Sequence, residues 1–132
     1  MAWLAKLLDR TPPRDRQMAD ALAAWKSGDY GVALDLWAPL AQAGLARAQS
    51  NMGAAFLEGR GVERDPAKAV AWLRLAADQG DVGGQRNLAL CYYEGWGVPQ
   101  DQVEAAAWYE KAALQDDAEA QDMLSWMKLL GG

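Results

Sequence analysis

The sequence contains no histidine and only one cysteine, and these two absences remove much of enzyme chemistry. Histidine is the commonest general base near neutral pH and a frequent metal ligand, so histidine-based triads and histidine metal sites are excluded. Cys91 has no imidazole to activate it and no second thiol to pair with, so we interpret it as a small core side chain. We therefore predict a protein that is not an enzyme and that needs no metal and no cofactor.

Positive charge and long apolar runs are also scarce. Thirteen basic residues against eighteen acidic ones give a formal net charge of −5, which argues against a nucleic-acid partner. Carboxylates are concentrated in residues 101–122, where a cationic partner could bind. No apolar run reaches the roughly 18 residues of a membrane-spanning helix. The single cysteine and the lack of a secretory signal favour a cytoplasmic location, although a chain trimmed of its signal would look the same and a periplasmic location stays open.

What the sequence does contain is a repeated segment. EGRGVERDPAKAVAWL, which starts at Glu58, reappears 36 residues later as EGWGVPQDQVEAAAWY, starting at Glu94. When residues 49–81 are laid over 85–117, 14 of 33 positions are identical, so the two segments are copies of one unit.

Each copy is typical of a helix pair. The spacing of Ala48, Met52 and Phe56 predicts the first helix, and Gly59 is placed to end it in a left-handed conformation. Asp65 followed by proline predicts the start of the second helix. After a short N-terminal helix, the frame predicts seven helices at about 16–27, 30–43, 46–58, 66–79, 82–94, 102–115 and 118–130, and no strand.

The units divide the chain as follows. Residues 1–15 form an N-terminal segment with a short amphipathic helix, and 16–132 form a single repeat domain. Within that domain we predict a degenerate tetratricopeptide-like unit at 16–45, full repeats at 46–81 and 82–117, and a terminal half-repeat helix at 118–130.

Several residues of the copies together resemble the Sel-1-like repeat family, whose helical repeats are related to tetratricopeptide repeats. The resemblance lies in Met52-Gly53 and Leu88-Ala89, an aromatic residue three positions later (Phe56, Tyr92), E-G-x-G-V, and the following Asp, Trp and Ala-Ala. It implies an all-α, right-handed α-solenoid of antiparallel helix pairs, of bacterial type, that acts as an adaptor for peptides or proteins. Some secreted bacterial members are cysteine-rich weak penicillin binders. This chain lacks their cysteine pairs, so a penicillin-binding hydrolase is the least favoured alternative.

Analogy with tetratricopeptide units places one face of each first helix on a concave groove. The predicted groove residues are Arg47, Ser50, Leu57, Glu58, Arg86, Leu90, Tyr93, Glu94, Asp122 and Trp126. The apolar members would form a strip flanked by charges, suited to an extended or helical peptide. The alternative is that these side chains pack between repeats.

Two apolar stripes predict further contacts. In the last helix, Met123, Trp126, Met127 and Leu130 stand where earlier units carry smaller or polar residues, although a terminal repeat ordinarily has a polar outer face. The second stripe lies near the N-terminus and consists of Trp3, Leu4, Leu7 and Leu8. The candidate interface residues are the members of both stripes (Trp3, Leu4, Leu7, Leu8, Met123, Trp126, Met127 and Leu130) and Trp96, which lies in a loop between two glycines. These stripes permit a symmetric homodimer or a head-to-tail contact, and hence a self-associating structural subunit as an alternative function. They could instead fold back onto their own repeats.

The tryptophans at equivalent positions of the two copies, Trp72 and Trp108, are predicted to lie in the core, packed against the small residues of the first helix.

Overall fold

The computed structural model describes residues 2–4 and 13–131. Every regular element in these two ranges is an α-helix, which confirms the predicted all-α fold. From residue 14 onward the helices are α1 (Arg14–Lys26), α2 (Tyr30–Gln42), α3 (Ala46–Glu58), α4 (Pro66–Asp78), α5 (Val82–Glu94), α6 (Gln102–Ala113) and α7 (Ala118–Gly131). Each begins and ends no more than two residues from the predicted helix. Residues 2–4 are also helical, whereas Leu7 and Leu8 lie outside the described residues.

Local signals in the repeated sequence set the helix ends. Gly59 ends α3 with a φ of 68°, and Gly95 ends α5 with a φ of 76°, so both have the predicted left-handed conformation. At the start of α4, the side chain of Asp65 accepts a hydrogen bond from the backbone N–H of Lys68 at 3.1 Å. Asp101 caps α6 in the same way. The repeat therefore encodes where each of these helices begins or ends.

The helices stack as successive pairs. Each helix packs against the next along the chain, and α3 also packs against α5, its counterpart in the following unit. Because the connections are short, consecutive helices run antiparallel, and α3 and α5 run parallel. This contact between equivalent helices is what joins one pair to the next in a continuous array.

Loop glycines allow one unit to lie close to the preceding one. Gly97, in the loop after α5, has a φ of 73°, and a Cβ atom there would lie 2.4 Å from the backbone oxygen of Pro66 at the start of α4. Gly61 is the equivalent residue one unit earlier, and a Cβ there would lie 2.9 Å from the Cβ of Tyr30 at the start of α2. The second glycine of each E-G-x-G-V motif is therefore required by close packing between units.

Glutamines at equivalent positions of the two copies form hydrogen bonds between the ends of neighbouring helices. Gln79 donates from Nε2 to the backbone oxygen of Gly44 at 3.0 Å and to Oε1 of Gln49 at 2.8 Å. One unit later, Gln115 makes the same pair of bonds with the equivalent residues. Since Gln49 is buried, these bonds satisfy a polar group inside the array.

The two repeat-equivalent tryptophans differ in burial, contrary to the prediction that both lie in the core. Trp108 is 9% exposed, and Lys111 Nζ lies 4.3 Å from the centroid of its ring. Trp72 is only half-buried. The residue equivalent to Lys111 is Leu75, which is 51% exposed, so no cation covers the outer face of Trp72 in this way.

Candidate protein-binding groove

A groove runs along the crease between the parallel helices α3 and α5. It consists of two spaces of about 340 Å³ and 630 Å³. Both spaces are lined by Ser50 and Asn51 of α3 and by Gly83 and Arg86 of α5, so they are two halves of one surface. Each helix has about four turns, which gives the groove a length of about 20 Å.

The two halves of the groove have different walls. Met18 and Leu22 of α1 close the half that lies near the N-terminal ends of α3 and α5, and Arg47 stands beside them. The other half is lined by the apolar side chains of Leu57, Leu90 and Trp96. An apolar floor with polar groups along it is a common design for binding a peptide segment.

The groove contains six of its predicted residues. Arg47, Ser50, Leu57, Glu58, Arg86 and Leu90 line it. Ser50 and Leu57 are 6% and 8% exposed, so they form its floor and also pack between helices, as the alternative interpretation expected for such side chains. Residues from two helices, α3 and α5, thus meet on one surface.

The other four predicted groove residues lie outside it. Tyr93 lines a separate depression of about 270 Å³ with Met127 and Leu130 of α7. Glu94, Asp122 and Trp126 are exposed and line neither half of the groove. For Asp122 and Trp126 the physical reason is that the crease is formed by α3 and α5, whereas α7 packs mainly on α6. Only Glu119, in the first turn of α7, reaches the groove.

Arg86 is occupied by contacts within the chain. Its Nη1 lies 2.7 Å from Oδ1 of Asp117, and its Nε lies 3.2 Å from Oε2 of Glu119. The other carboxylate oxygen of Asp117 accepts a hydrogen bond from the backbone N–H of Ala120 at 2.9 Å. Arg86 therefore fixes the start of α7 against α5, which leaves its charge neutralised on the groove wall.

Trp96 lies at the end of the groove and is half-buried. The guanidinium carbon of Arg64 lies 5.3 Å from the centroid of its ring, and Arg64 Nε donates to the backbone oxygen of Leu57 at 2.9 Å. The indole thus packs against the preceding repeat while it also lines the groove. The sequence predicted that Trp96 would either fold back onto its own repeat or contact a partner, and the contact with Arg64 is instead one between neighbouring repeats.

Two groove residues were missed by sequence analysis. Asn51 and Asn87 occupy equivalent positions and line the groove, yet within residues 13–131 neither side-chain amide makes a hydrogen bond. An amide that does not bond within its own fold is available to the backbone of a bound segment. Asparagine occupies this position in both copies, and that was the sequence signal for a shared role. The same signal also fits a role in the fold itself, as for the recurring glutamines.

The sole thiol is not part of the groove. Cys91 is fully buried, and burial raises the pKa of its thiol to about 11, so it is protonated at neutral pH and is not a nucleophile. In the part of the chain that the structure describes, no cluster of carboxylates and thiols could hold a metal ion. Nor is any helix there long and apolar enough to cross a membrane.

The predicted interface residues fall into two groups. Met123 and Met127 are half-buried and pack against the core, whereas Trp126 and Leu130 are 52% and 63% exposed. Leu129, which was not among the candidates, is 79% exposed beside them. Near the N-terminus, Trp3 and Leu4 are 62% and 41% exposed. Leu7 and Leu8, as noted, lie outside the described residues.

Stacked helix pairs with a groove between equivalent helices define a helical-repeat architecture. A family model described as Sel1 repeat matches residues 46–81 and 82–117, so the chain belongs to the Sel1 repeat family. This confirms the resemblance found in the sequence. Sel1 repeat proteins generally act as protein-interaction scaffolds, and their fold is typically non-catalytic.

Solved structures agree with this family. The chain is 36% identical to c5321, a protective antigen present in uropathogenic Escherichia coli strains that displays an SLR fold, with a TM-score of 0.82. It is 34% identical to a Sel1 repeat protein from Oxalobacter formigenes, with a TM-score of 0.78. These matches cover 89% and 86% of this chain, but only 26% and 47% of those proteins, so the chain spans less than half of either.

A more distant structure shows the same solenoid fold. Helicobacter pylori cysteine rich protein B is 17% identical, with a TM-score of 0.66, over 84% of this chain and 94% of that one. At this identity the likeness concerns the fold alone. No curated protein matches the chain.

Proposed function

We propose that the chain binds an extended segment of a partner protein in the groove between α3 and α5. The observation that carries the proposal is the pair of repeat-equivalent amides, Asn51 and Asn87, which face the groove without a hydrogen bond from the rest of residues 13–131. An extended segment exposes backbone N–H and C=O groups along its length, and side-chain amides can pair with both.

The apolar half of the groove supplies the other part of the binding energy. Leu90 and Trp96 are half-buried around a space of about 630 Å³, which is large enough to hold one or two partner side chains. Burying such side chains contributes about 25 cal/mol for each Å² of apolar surface removed from water. Amides that orient the backbone and an apolar seat for side chains together favour a protein segment over a small polar ligand.

The test fills the groove without disturbing the fold. Gly83 lies on the groove wall, and a Cβ atom there would meet nothing closer than Asp81 Oδ2 at 3.4 Å, so Gly83→Trp places an indole in the groove. Ala71→Trp, on the exposed side of α4, is the matched control. Peptides selected from a random library on the wild-type chain should bind the Ala71→Trp variant equally well and the Gly83→Trp variant at least tenfold more weakly.

Circular dichroism melts of both variants establish that each is folded. Equal binding by the two folded variants would show that the groove is not the binding surface.

A second candidate function is self-association through α7. It is favoured by the exposure of Trp126, Leu129 and Leu130 on one end of the array. Large apolar side chains grouped on a surface commonly mark a contact with another protein. Such a contact leaves the groove free, so both functions are compatible in one molecule.

A further inference from the structure

The charges along the groove are not equally satisfied. Glu58 pairs with Arg60 at 3.1 Å, and Asp81 accepts a hydrogen bond from the backbone N–H of Gly84 at 2.8 Å. The remaining groove carboxylate, Glu119, pairs with Arg86 as described above. Glu58 and Glu119 are thus paired with arginines, whereas Asp81 is bound by a backbone N–H and keeps its charge.

Two of the three groove arginines have no carboxylate partner among residues 13–131. No carboxylate of residues 13–131 lies within 4 Å of the guanidinium nitrogens of Arg47 or Arg64. Both side chains are exposed, Arg47 in the half of the groove near the N-terminal end of α3 and Arg64 at the opposite end. The groove therefore has one available positive charge at each end, in a chain whose net charge is −5.

The charge of Arg64 is not needed for the structure of its loop. The equivalent residue in the next repeat is Gln100, whose Nε2 donates to the backbone oxygen of Tyr93 at 2.8 Å. This is the counterpart of the bond from Arg64 to Leu57. A neutral amide makes the same loop bond, so the loop does not need the guanidinium charge of the exposed Arg64, which lies beside the Trp96 ring.

The charge of Arg47, at the other end of the groove, is likewise not needed for the fold. Its equivalent in the next repeat is Gly83, which has no side chain, and the helix there is as regular as α3. Arg47 makes no side-chain hydrogen bond within residues 13–131. A regular helix thus forms at this position without the side chain of Arg47 or its charge.

We infer that the segment bound in the groove is acidic, with one carboxylate for Arg47 and another for Arg64. The inference rests on the proposed function and adds the chemistry of the partner. Arg64 is held at Leu57, and ten helical residues separate Leu57 from Arg47, so the anchors are about 15 Å apart along α3. An extended segment advances about 3.3 Å per residue, which places its two acidic residues about four to five positions apart.

A peptide fits these charges better than a nucleic acid does. Arginine also binds phosphate, but a long polyanion would extend over the surface of a chain whose net charge is −5. A short acidic segment reaches the two arginines without extending over that surface.

The experiment compares charge removal inside and outside the groove. Arg47→Gln with Arg64→Gln removes both groove charges and gives the loop the side chain that the next repeat already uses. Arg14→Gln with Arg16→Gln removes the same total charge from the exposed start of α1 and is the matched control. Affinities are measured by fluorescence anisotropy at low and high salt, with peptides from the library selection described above.

The selected peptides should carry Asp or Glu at two positions about four to five residues apart. We expect the groove double variant to bind them about tenfold more weakly at low salt, because each of the two exposed ion pairs contributes about threefold to the affinity. The control double variant should bind like the wild type, and high salt should remove most of the difference.

Three outcomes would overturn the inference while leaving the groove function intact. In the first, the peptides that depend on the groove are neutral or basic. In the second, acidic peptides bind the groove double variant with wild-type affinity. In the third, a single-stranded oligonucleotide competes with the peptides for the groove. If peptide binding instead survives Gly83→Trp, the proposed function itself fails. The two failures are therefore distinguishable.

Discussion

At the scale of single residues, the two copies of the repeat show that identical positions need not have identical surroundings. Trp72 and Trp108 follow the same helix start and face the same kind of neighbours, but Lys111 covers only the second indole. A lysine whose aliphatic stem lies over a tryptophan removes apolar surface from water and adds a cation–π contact. The two indoles thus differ in their contact with the residue three positions further on, although their repeat positions are the same.

This difference predicts unequal costs of truncation. Trp108→Ala should lower the free energy of unfolding by about 3 to 5 kcal/mol, as is typical for a fully buried aromatic residue. Trp72→Ala should cost clearly less, because part of the Trp72 ring is already in water. Urea titrations followed by far-UV circular dichroism measure both.

Lys111→Ala provides the control for this interpretation. It should lower stability by less than about 1 kcal/mol, the usual value of an exposed cation–π contact. Equal losses for Trp72→Ala and Trp108→Ala would show that exposure of the ring does not determine the difference.

At the scale of elements, loops hold neighbouring units together as much as helices do. A Cβ atom added to Gly97 would overlap the backbone of Pro66. A Cβ atom added to Gly80, between α4 and α5, would have no atom within 4 Å apart from those of Gly80 and its chain neighbours. Both glycines have positive φ values, 73° and 90°, so alanine is strained at either site. Only Gly97 adds an overlap with backbone, which cannot move aside as a side chain can.

Gly97→Ala should therefore destabilise the array much more than Gly80→Ala. We expect about 1 to 2 kcal/mol for Gly80→Ala from backbone strain alone. For Gly97→Ala we expect a further 1 to 3 kcal/mol, roughly the cost of overpacking. Thermal denaturation of the two variants tests this, and similar melting temperatures would contradict the close contact between loop and helix.

The same contrast explains what could be predicted from the sequence. Helix bounds were predictable because glycine and aspartate at helix ends act locally, as Gly59 and Asp65 do. Membership of the groove was predictable for the candidates in α3 and for Arg86 and Leu90 of α5, but not for Tyr93 and Glu94 at the end of α5. It was not predictable for α7, whose position depends on ion pairs between Arg86 and residues about thirty positions away. No local pattern in the sequence marks such a contact.

At the scale of the whole molecule, the array presents two different surfaces. The groove has carboxylates that are paired or hydrogen-bonded, two available arginines and an apolar floor. The end formed by α7 has exposed Trp126, Leu129 and Leu130. In α3, the residue equivalent to Leu129 is Leu57, which is 8% exposed because the following unit covers it. The position of Leu129 thus corresponds to one that is buried between units inside the array, whereas the position of Leu130 corresponds to the exposed Glu58.

This correspondence predicts that α7 mediates self-association. A second copy that packs its own α7 against this face would bury the same side chains on both partners, as in a two-fold symmetric dimer. Trp126→Ala and Leu130→Asp should each raise the dimer dissociation constant by about tenfold or more, because a buried large apolar side chain contributes about 1.5 to 3 kcal/mol. Sedimentation equilibrium over a range of concentrations measures the change.

Leu114→Asp, at an 86% exposed position after α6, serves as the matched control and should leave association unchanged. Helicity should also stay unchanged in all three variants, because Met123 and Met127 still hold α7 to the core. A wild-type chain that remains monomeric at high concentration would refute the dimer. If the Trp126→Ala variant is unfolded, the indole of Trp126 belongs to the core, because only a side chain that packs inside the fold is required for folding. That result would contradict the 52% exposure of Trp126 in the structure.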